Sequence, residues 1–233
     1  CQPKLLSATD PDYFDYGGGG GGYIDLLGFT FCRGRLFATR ERDQGQYDSP
    51  VPLFWACGSA LCLRLDAARQ VGLLDPEYVA HFEEIDLCWR LQQAGYRIVA
   101  VPGSTVFHHS GYSLPPSSFR KSYLNHRNNL VMLFKNLSAA RLLAVAPVRL
   151  LLEALAGAGY LATGQWRNFL APLAALAWCL SHPWQLLRRR RQARQVQRPG
   201  ARTRGVYQGS LLFQYHVRGV REASTLMPEE TGG

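Results

Sequence analysis

The stretch Val79-Ala-His-Phe-Glu-Glu-Ile-Asp-Leu-Cys-Trp-Arg90 constrains the fold more than any other part of this sequence. It puts Glu83, Glu84 and Asp86 within four residues, between the core-forming side chains Phe82, Ile85, Leu87 and Trp89. On a helix Phe82, Ile85 and Trp89 share one face, because they fall at i, i+3 and i+7. Asp86 and Arg90 form an i,i+4 pair on another. Gly95 is a natural stop. The stretch therefore predicts a helix with acids in its first turn. Acids there complement the helix dipole and take up free N–H groups, which is their ordinary use. Three carboxylates beside an apolar face are also what proton transfer needs, so the neighbourhood has to decide.

The neighbours alternate strand and helix. Leu53 to Arg64 is mostly apolar, with small residues from Ala56 to Ala60, and predicts a buried strand over 58–64. Gly58 and Ser59 would let a ligand approach the backbone. Leu65 to Val71 predicts a short helix ended by Gly72. Arg97 to Val101 predicts a strand closed by Pro102, and Thr105 to His109 another extended piece. Arg120 opens a further helix whose first half is basic and rich in amides. That face is either solvated or a grip on an anion. The alternation indicates an α/β domain.

Upstream, Gly17 to Gly22 is a run of six glycines. No Gly-Lys-Ser/Thr follows, so a phosphate cradle is excluded and a mobile loop is expected. Residues 23–54 are short and irregular, with Pro50 and Pro52 breaking regular elements. The six cysteines show no C-x-x-C pairing, which points to reduced thiols and against a zinc site. The opening Cys1-Gln-Pro-Lys-Leu-Leu-Ser7 reads as starting inside a fold, so the chain is expected to be a fragment.

Beyond residue 135 the character changes. Residues 1–135 hold 13 Lys+Arg and 13 Asp+Glu; residues 136–233 hold 13 Arg against 4 Glu, so this part carries the whole net charge of +9. Leu142 to Ala162 is strongly apolar but contains Pro147, Arg149 and Glu153. Phe169 to Leu187 has no charged residue, and Arg188 to Arg191 follows directly. About 20 apolar residues span a bilayer. The prolines favour a hairpin lying in the interface, with Trp166, Trp178 and Trp184 at headgroup level and the Arg run on anionic lipid. A pair of ordinary packed helices is the alternative. Residues 192–206 read as a linker, 209–218 as a short helix and 226–233 as disordered. Nucleic acid is an unsuitable partner, because no stacking aromatics interleave Arg188 to Arg204.

Taken in order, Gly58-Ser-Ala, Val71-Gly-Leu-Leu-Asp75, Glu83-Glu-Ile-Asp-Leu-Cys-Trp-Arg90, Ala94-Gly-Tyr-Arg97, Val101-Pro, Val106-Phe-His108, Arg120-Lys and Arg127-Asn-Asn129 resemble family 2 glycosyltransferases. The nearest likeness is to rhamnosyltransferase-like enzymes of bacterial surface-polysaccharide synthesis. The resemblance implies a GT-A-type twisted α/β sheet. Residues 1–135 would be its acceptor-side, C-terminal half. Residues 136–191 would be an α-helical membrane-associating extension, and 192–233 a basic linker, short helix and tail.

The family's Glu-Asp pair falls on Glu83 and Glu84. The catalytic base would be Glu84, where the family carries Asp. Asp86 and Arg90 match the Asp and Arg that follow, and His108 matches a His near the metal or diphosphate. Gly58, Ser59, Arg90, Arg120, Lys121 and Arg127 become substrate-binding candidates. A divalent cation, Mg²⁺ or Mn²⁺, is implied, with its main Asp ligands expected upstream of Cys1. Asp10-Pro-Asp12 has the letters of that motif but precedes a loop. The implied partners are a nucleotide-sugar donor, a saccharide or lipid-linked acceptor and an anionic membrane surface on the cytoplasmic side. Inverting transfer asks for what these residues offer: a carboxylate to take the acceptor proton, and positive charge for the departing diphosphate. The dipole at the start of a helix is expected to lower the base's pKa. The rival reading is a non-catalytic module that binds membrane or polyanion through the basic tail.

Overall fold

A computed structural model describes residues 1–15, 18–109 and 118–227. The strands are β1 (Gln2–Ser7), β2 (Gly22–Asp25), β3 (Thr30–Cys32), β4 (Arg35–Leu36), β5 (Thr39–Arg40) and β6 (Pro52–Leu53). Helix α1 (Leu65–Gln70), a 3₁₀ turn (Pro76–Tyr78), α2 (Glu83–Gln93) and strand β7 (Ile98–His108) follow. Four helices come next: α3 (Phe119–Asn136), α4 (Ala139–Ala162), α5 (Trp166–Ser181) and α6 (Pro183–Gln195). Strand β8 (Val206–Tyr207) and two short turns, Phe213–Val217 and Ala223–Leu226, complete the order. The architecture is mixed α/β, consistent with a GT-A fold.

One sheet runs β1-β7-β6, with β1 parallel and β6 antiparallel to β7. The other runs β5-β4-β3-β2-β8. The two expected pieces at 97–101 and 105–109 are one strand, β7. Its proline is tolerated because the register against β1 shifts there: Pro3 pairs with Val101 and Lys4 with Thr105, so Pro102 owes no ladder bond to β1. The expected strand at 58–64 does not form. Residues 58–64 join neither sheet, and Gly58 and Ser59 turn at the surface. The buried apolar segment lies just before it: Leu53, Phe54, Trp55, Ala56 and Cys57 are all in the core.

The described glycines, Gly18 to Gly22, are not a mobile loop. They are buried, and close packing is why they are glycines. A Cβ on Gly22 would lie 2.0 Å from the Trp55 ring, and one on Gly21 2.4 Å from Leu53. Their backbone is also tied down, Leu5 N–H donating to Gly19 O at 3.0 Å and Gly22 N–H to Trp55 O at 3.1 Å. Gly17 lies outside the described residues.

Helix α2 is buried on all sides of its middle. Ile85, Leu87, Cys88, Trp89 and Leu91 join the core, and the Trp89 ring meets Phe54 edge-on at 5.2 Å. Gln92 binds the backbone of two distant segments. Its Nε2 donates to Phe54 O at 2.9 Å, and its Oε1 accepts from Arg204 N–H at 2.7 Å. The expected linker at 192–206 thus begins with the last turn of a helix and ends against the core. α6 runs to Gln195, β8 pairs with β2, and Leu211, Ala223 and Leu226 are buried. Asp25 accepts the Leu211 N–H at 2.8 Å. Of residues 226–233, expected to be disordered, Leu226 ends a 3₁₀ turn and is buried in the core, and 228–233 lie outside the described residues.

Helices α3 to α6 pack together. The apolar run 169–187 is broken at His182, where α5 ends and Pro183 opens α6. It is α4, with 24 residues, that is long and apolar enough to cross a membrane. Arg149 and Glu153 do not interrupt its outer face, because they are buried as an i,i+4 pair at 2.6 Å, with Glu153 also bonded to His126 of α3. The outer face leaves Leu143, Leu151 and Leu155 exposed, with Leu170 and Leu180 of α5 beside Trp166 and with Trp184 of α6. Trp178 is not part of it; it is covered by Arg127 and stacked on His182.

Candidate active site

Glu83 and Glu84 open α2 from a backbone that side chains seldom adopt. Val79, His81 and Phe82 all have positive φ, at 64°, 68° and 72°. A β-branched valine there is strained and persists only if the surroundings impose it. Helix α3 imposes it. Asn128 Nδ2 donates to the carbonyls of Tyr78, Ala80 and His81 at 2.9, 2.8 and 2.8 Å. Arg127 donates to Glu77 O at 2.7 Å and Tyr78 O at 3.3 Å. Arg127 was a substrate-binding candidate; its guanidinium instead fastens this turn and orients Asn128.

Phe82 offers no side-chain cap, so the first N–H groups of α2 are left to the carboxylates. The backbone N–H groups of its own residue, of Gly58 and of Ile85 lie close enough to the Glu84 carboxyl to favour its charged form. Its Oε2 and that of Glu83 are nonetheless buried without a hydrogen-bond partner among the described residues. Burial first, then the charge of Glu83, raise the Glu84 carboxyl to about 7. The dipole effect expected from the sequence is real but outweighed. Two acids side by side in a dry setting cannot both ionise cheaply, and the result is a carboxyl that changes state near neutrality.

Gly58 and Ser59, though not on a strand, lie beside this pair. A Cβ on Gly58 would sit 3.8 Å from that of Glu84, and Gly58 and Ser59 are both exposed. Lys121, in the first turn of α3, lies near enough to His81 that it and burial together lower the His81 pKa, burial contributing more. His81 Nε2 is buried and without a hydrogen-bond partner among the described residues. Arg120 is exposed in the same turn. The site therefore gathers Glu83, Glu84, Gly58, Ser59, His81 and Lys121.

Two candidates belong to the scaffold instead. Asp86 is fully buried with both oxygens engaged. Oδ2 accepts from Arg90 Nε and Lys135 Nζ, both at 2.8 Å, and Oδ1 from Asn136 at 2.8 Å. Burial would raise its carboxyl, but Arg90 and Lys135 hold it below the usual carboxylate value. Arg90 spends its remaining donors on the carbonyls of Val71 and Leu73. Neither has an atom left for a substrate. The i,i+4 spacing was legible; Lys135 and Asn136, 49 and 50 residues from Asp86, were not.

His108 pairs with a residue the sequence reading passed over. Parallel pairing of β1 and β7 sets Ser7 opposite His108, and the bridge from Leu6 to Phe14 brings Asp15 alongside. His108 Nδ1 lies 3.0 Å from Asp15 Oδ2. Burial raises the Cys32 thiol, and Asp15 and Glu84 both add to that rise, so both carboxylates lie within electrostatic reach of one buried thiol. A His nitrogen and a carboxylate oxygen fit one edge of a Mg²⁺ or Mn²⁺ shell. Among the described residues, no group of three or more His, Cys, Asp or Glu is placed to hold a metal.

Residues 37–187, well over half of the chain, match the family described as Glycosyl transferase family group 2. The chain belongs to that family. The family match takes in Glu83, Glu84 and the helices α3 to α5. The chain is also 32% identical over 113 residues to N-acetylglucosaminyl-diphospho-decaprenol L-rhamnosyltransferase of Mycobacterium tuberculosis, in strains CDC 1551 / Oshkosh and ATCC 25618 / H37Rv. That region is 48% of this chain and 36% of the relative, so the match spans about a third of the relative's length.

Proposed function

We propose that this chain is the acceptor-side part of an inverting glycosyltransferase in which Glu84 is the general base. The observation that carries the reading is the Glu84 carboxyl, buried beside Glu83 with one oxygen unpartnered and a pKa near 7. A base works best when its pKa lies near the working pH. Glu84 takes the proton from an acceptor hydroxyl as that oxygen attacks the anomeric carbon of a nucleotide-sugar. Gly58 N–H steadies the carboxylate, and Ser59 and Arg120 sit where an acceptor enters. Lys121 adds positive charge beside His81. A divalent cation held partly by His108 and Asp15 would stabilise the departing nucleoside diphosphate.

The acceptor we favour is lipid-linked, as in the name of the mycobacterial relative. Residues 1–135 would supply the acceptor side of the site, residues 136–191 a membrane-associating extension, and 192–233 the remaining tail. The outer face of α4 and α5 supports attachment to a membrane, which we place at its cytoplasmic side, since its leucines and the rings of Trp166 and Trp184 are solvent-exposed. The Arg run contributes less to this than its composition promised. Arg189 is buried against Glu77, and Arg190 lies over Phe134 and donates to its carbonyl. Arg188 and Arg191 remain at the surface.

The test is the pH dependence of kcat in the full-length enzyme with a lipid-linked saccharide acceptor. The base must be ionised, so the rate should climb as pH rises through about 7 and then level off. A rate flat from pH 5 to 9 would contradict a base of this pKa.

A further inference from the structure

Away from the Glu83–Glu84 site, a cavity of about 440 Å³ opens between α1, the turn after it and α6. Five cations line it: Arg69, Arg90, Lys135, Arg188 and Arg189. Two carboxylates share the lining, Asp75 and Glu77. The ion pairs divide them unevenly. Arg90 and Lys135 bind Asp86 behind the wall, Lys135 also reaches Asp75 at 3.0 Å, and Arg189 approaches Glu77 at 2.9 Å. Arg189 Nη2 makes that contact without hydrogen-bond geometry and is buried. Arg69 and Arg188 have no ion pair among the described residues. They come from helices more than a hundred residues apart, α1 and α6, yet face one hollow. Five positive charges against Asp75, Glu77 and Asp86 leave a surplus of two.

We infer that this cavity is a binding site for a phosphate-class anion. The surplus matches such an anion, the volume suits a small ligand, and planar guanidinium groups recognise phosphate oxygens in pairs. Arg189 forms the floor, with Arg69 and Arg188 closing from the rim. Free phosphate or pyrophosphate and a phospholipid headgroup share this chemistry. A merely solvated basic surface would place its arginines apart rather than around one hollow.

Arg191 supplies the control, being an exposed arginine on the same helix that does not line the cavity. Pyrophosphate is titrated calorimetrically into the full chain at low salt, and flotation is run in parallel with phosphatidylglycerol and with phosphatidylcholine vesicles. Arg69→Ser and Arg188→Ser should each weaken binding tenfold or more, Arg191→Ser should leave it within twofold, and all three should melt like the parent. Loss in the pyrophosphate arm identifies a soluble anion. Loss confined to the phosphatidylglycerol arm identifies a headgroup. Either supports the site. Equal loss in Arg191→Ser, no loss in Arg69→Ser and Arg188→Ser, or no binding in either arm would overturn it. None of these substitutions touches Glu84, so the outcome is independent of the catalytic proposal.

Discussion

Glu84→Gln makes a prediction that needs no substrate. In the folded chain the Glu84 carboxyl titrates near 7, against 4.5 for the unperturbed group. Carrying the carboxyl from 4.5 to about 7 corresponds to about 3 kcal/mol at ~1.4 kcal/mol per tenfold change in affinity for the proton, and partial solvent access at the site reduces it to about 2 kcal/mol. The sign follows from proton counting. Below pH 4.5 both folded and unfolded states hold the proton, and no penalty exists. Between 4.5 and 7 the folded state keeps a proton that the unfolded state has lost, so stability falls as pH rises. Above 7 the penalty is complete and constant. Glutamine stands in for the neutral carboxyl and never ionises. The variant should therefore match the parent near pH 4.5 and exceed it by about 2 kcal/mol at pH 8, roughly 4–8 °C in melting temperature for a chain of this size. Thermal melts of both proteins across pH 4.5 to 8.5 measure it. A gap that does not open between pH 4.5 and 7, or a variant less stable at pH 8, would refute the buried, charge-crowded carboxyl on which the assignment of the base rests.

Two further predictions concern packing and location. Gly22→Ala drives a methyl group to 2.0 Å from the Trp55 ring, so its urea midpoint should drop by the equivalent of about 1–3 kcal/mol; an unchanged midpoint would restore the mobile-loop reading. Replacing Leu151, Leu155 and Leu180 together by Gln should weaken flotation on anionic vesicles by roughly tenfold or more at high salt, where charge is screened and apolar burial remains. Flotation unchanged by the triple substitution would leave α4 and α5 as ordinary packed helices.

The sequence was most informative where a pattern is local. The acidic helix, α1 and the first turn of α3 could all be placed from periodicity, caps and glycine stops. The resemblance made Gly58 a substrate-binding candidate, but that it lies against Glu84, 26 residues on, was not legible. What stayed hidden depended on long-range packing. Nothing in the glycine run announces that Trp55 and Leu53 press against it. Asp86 and Arg90 look like a site pair by spacing; that they are saturated by Lys135, Asn136 and the backbone of 71–73 is a property of the folded core. Asp15 and His108 meet through parallel strand pairing across 93 residues. His81 gave a weak signal by lying two residues before Glu83, but its left-handed backbone is imposed by Asn128 from another helix. Residues 192–206 were read as a linker and 226–233 as disordered, yet Gly205 packs against the backbone of Leu53 and Phe54 and Leu226 is buried in the core.

The most direct test of the central claim is a kinetic comparison of Glu84→Gln and Glu83→Gln in the full-length enzyme. Glutamine keeps the shape of either side chain and removes its ability to take a proton. If Glu84 is the base, its variant should lose 10²-fold or more in kcat while donor affinity stays nearly intact. Glu83→Gln removes a neighbouring charge, so it should retain measurable turnover and let the Glu84 pKa fall. Near-parental turnover in Glu84→Gln, with Glu83→Gln inactive though folded, would assign the base to Glu83 and contradict the account.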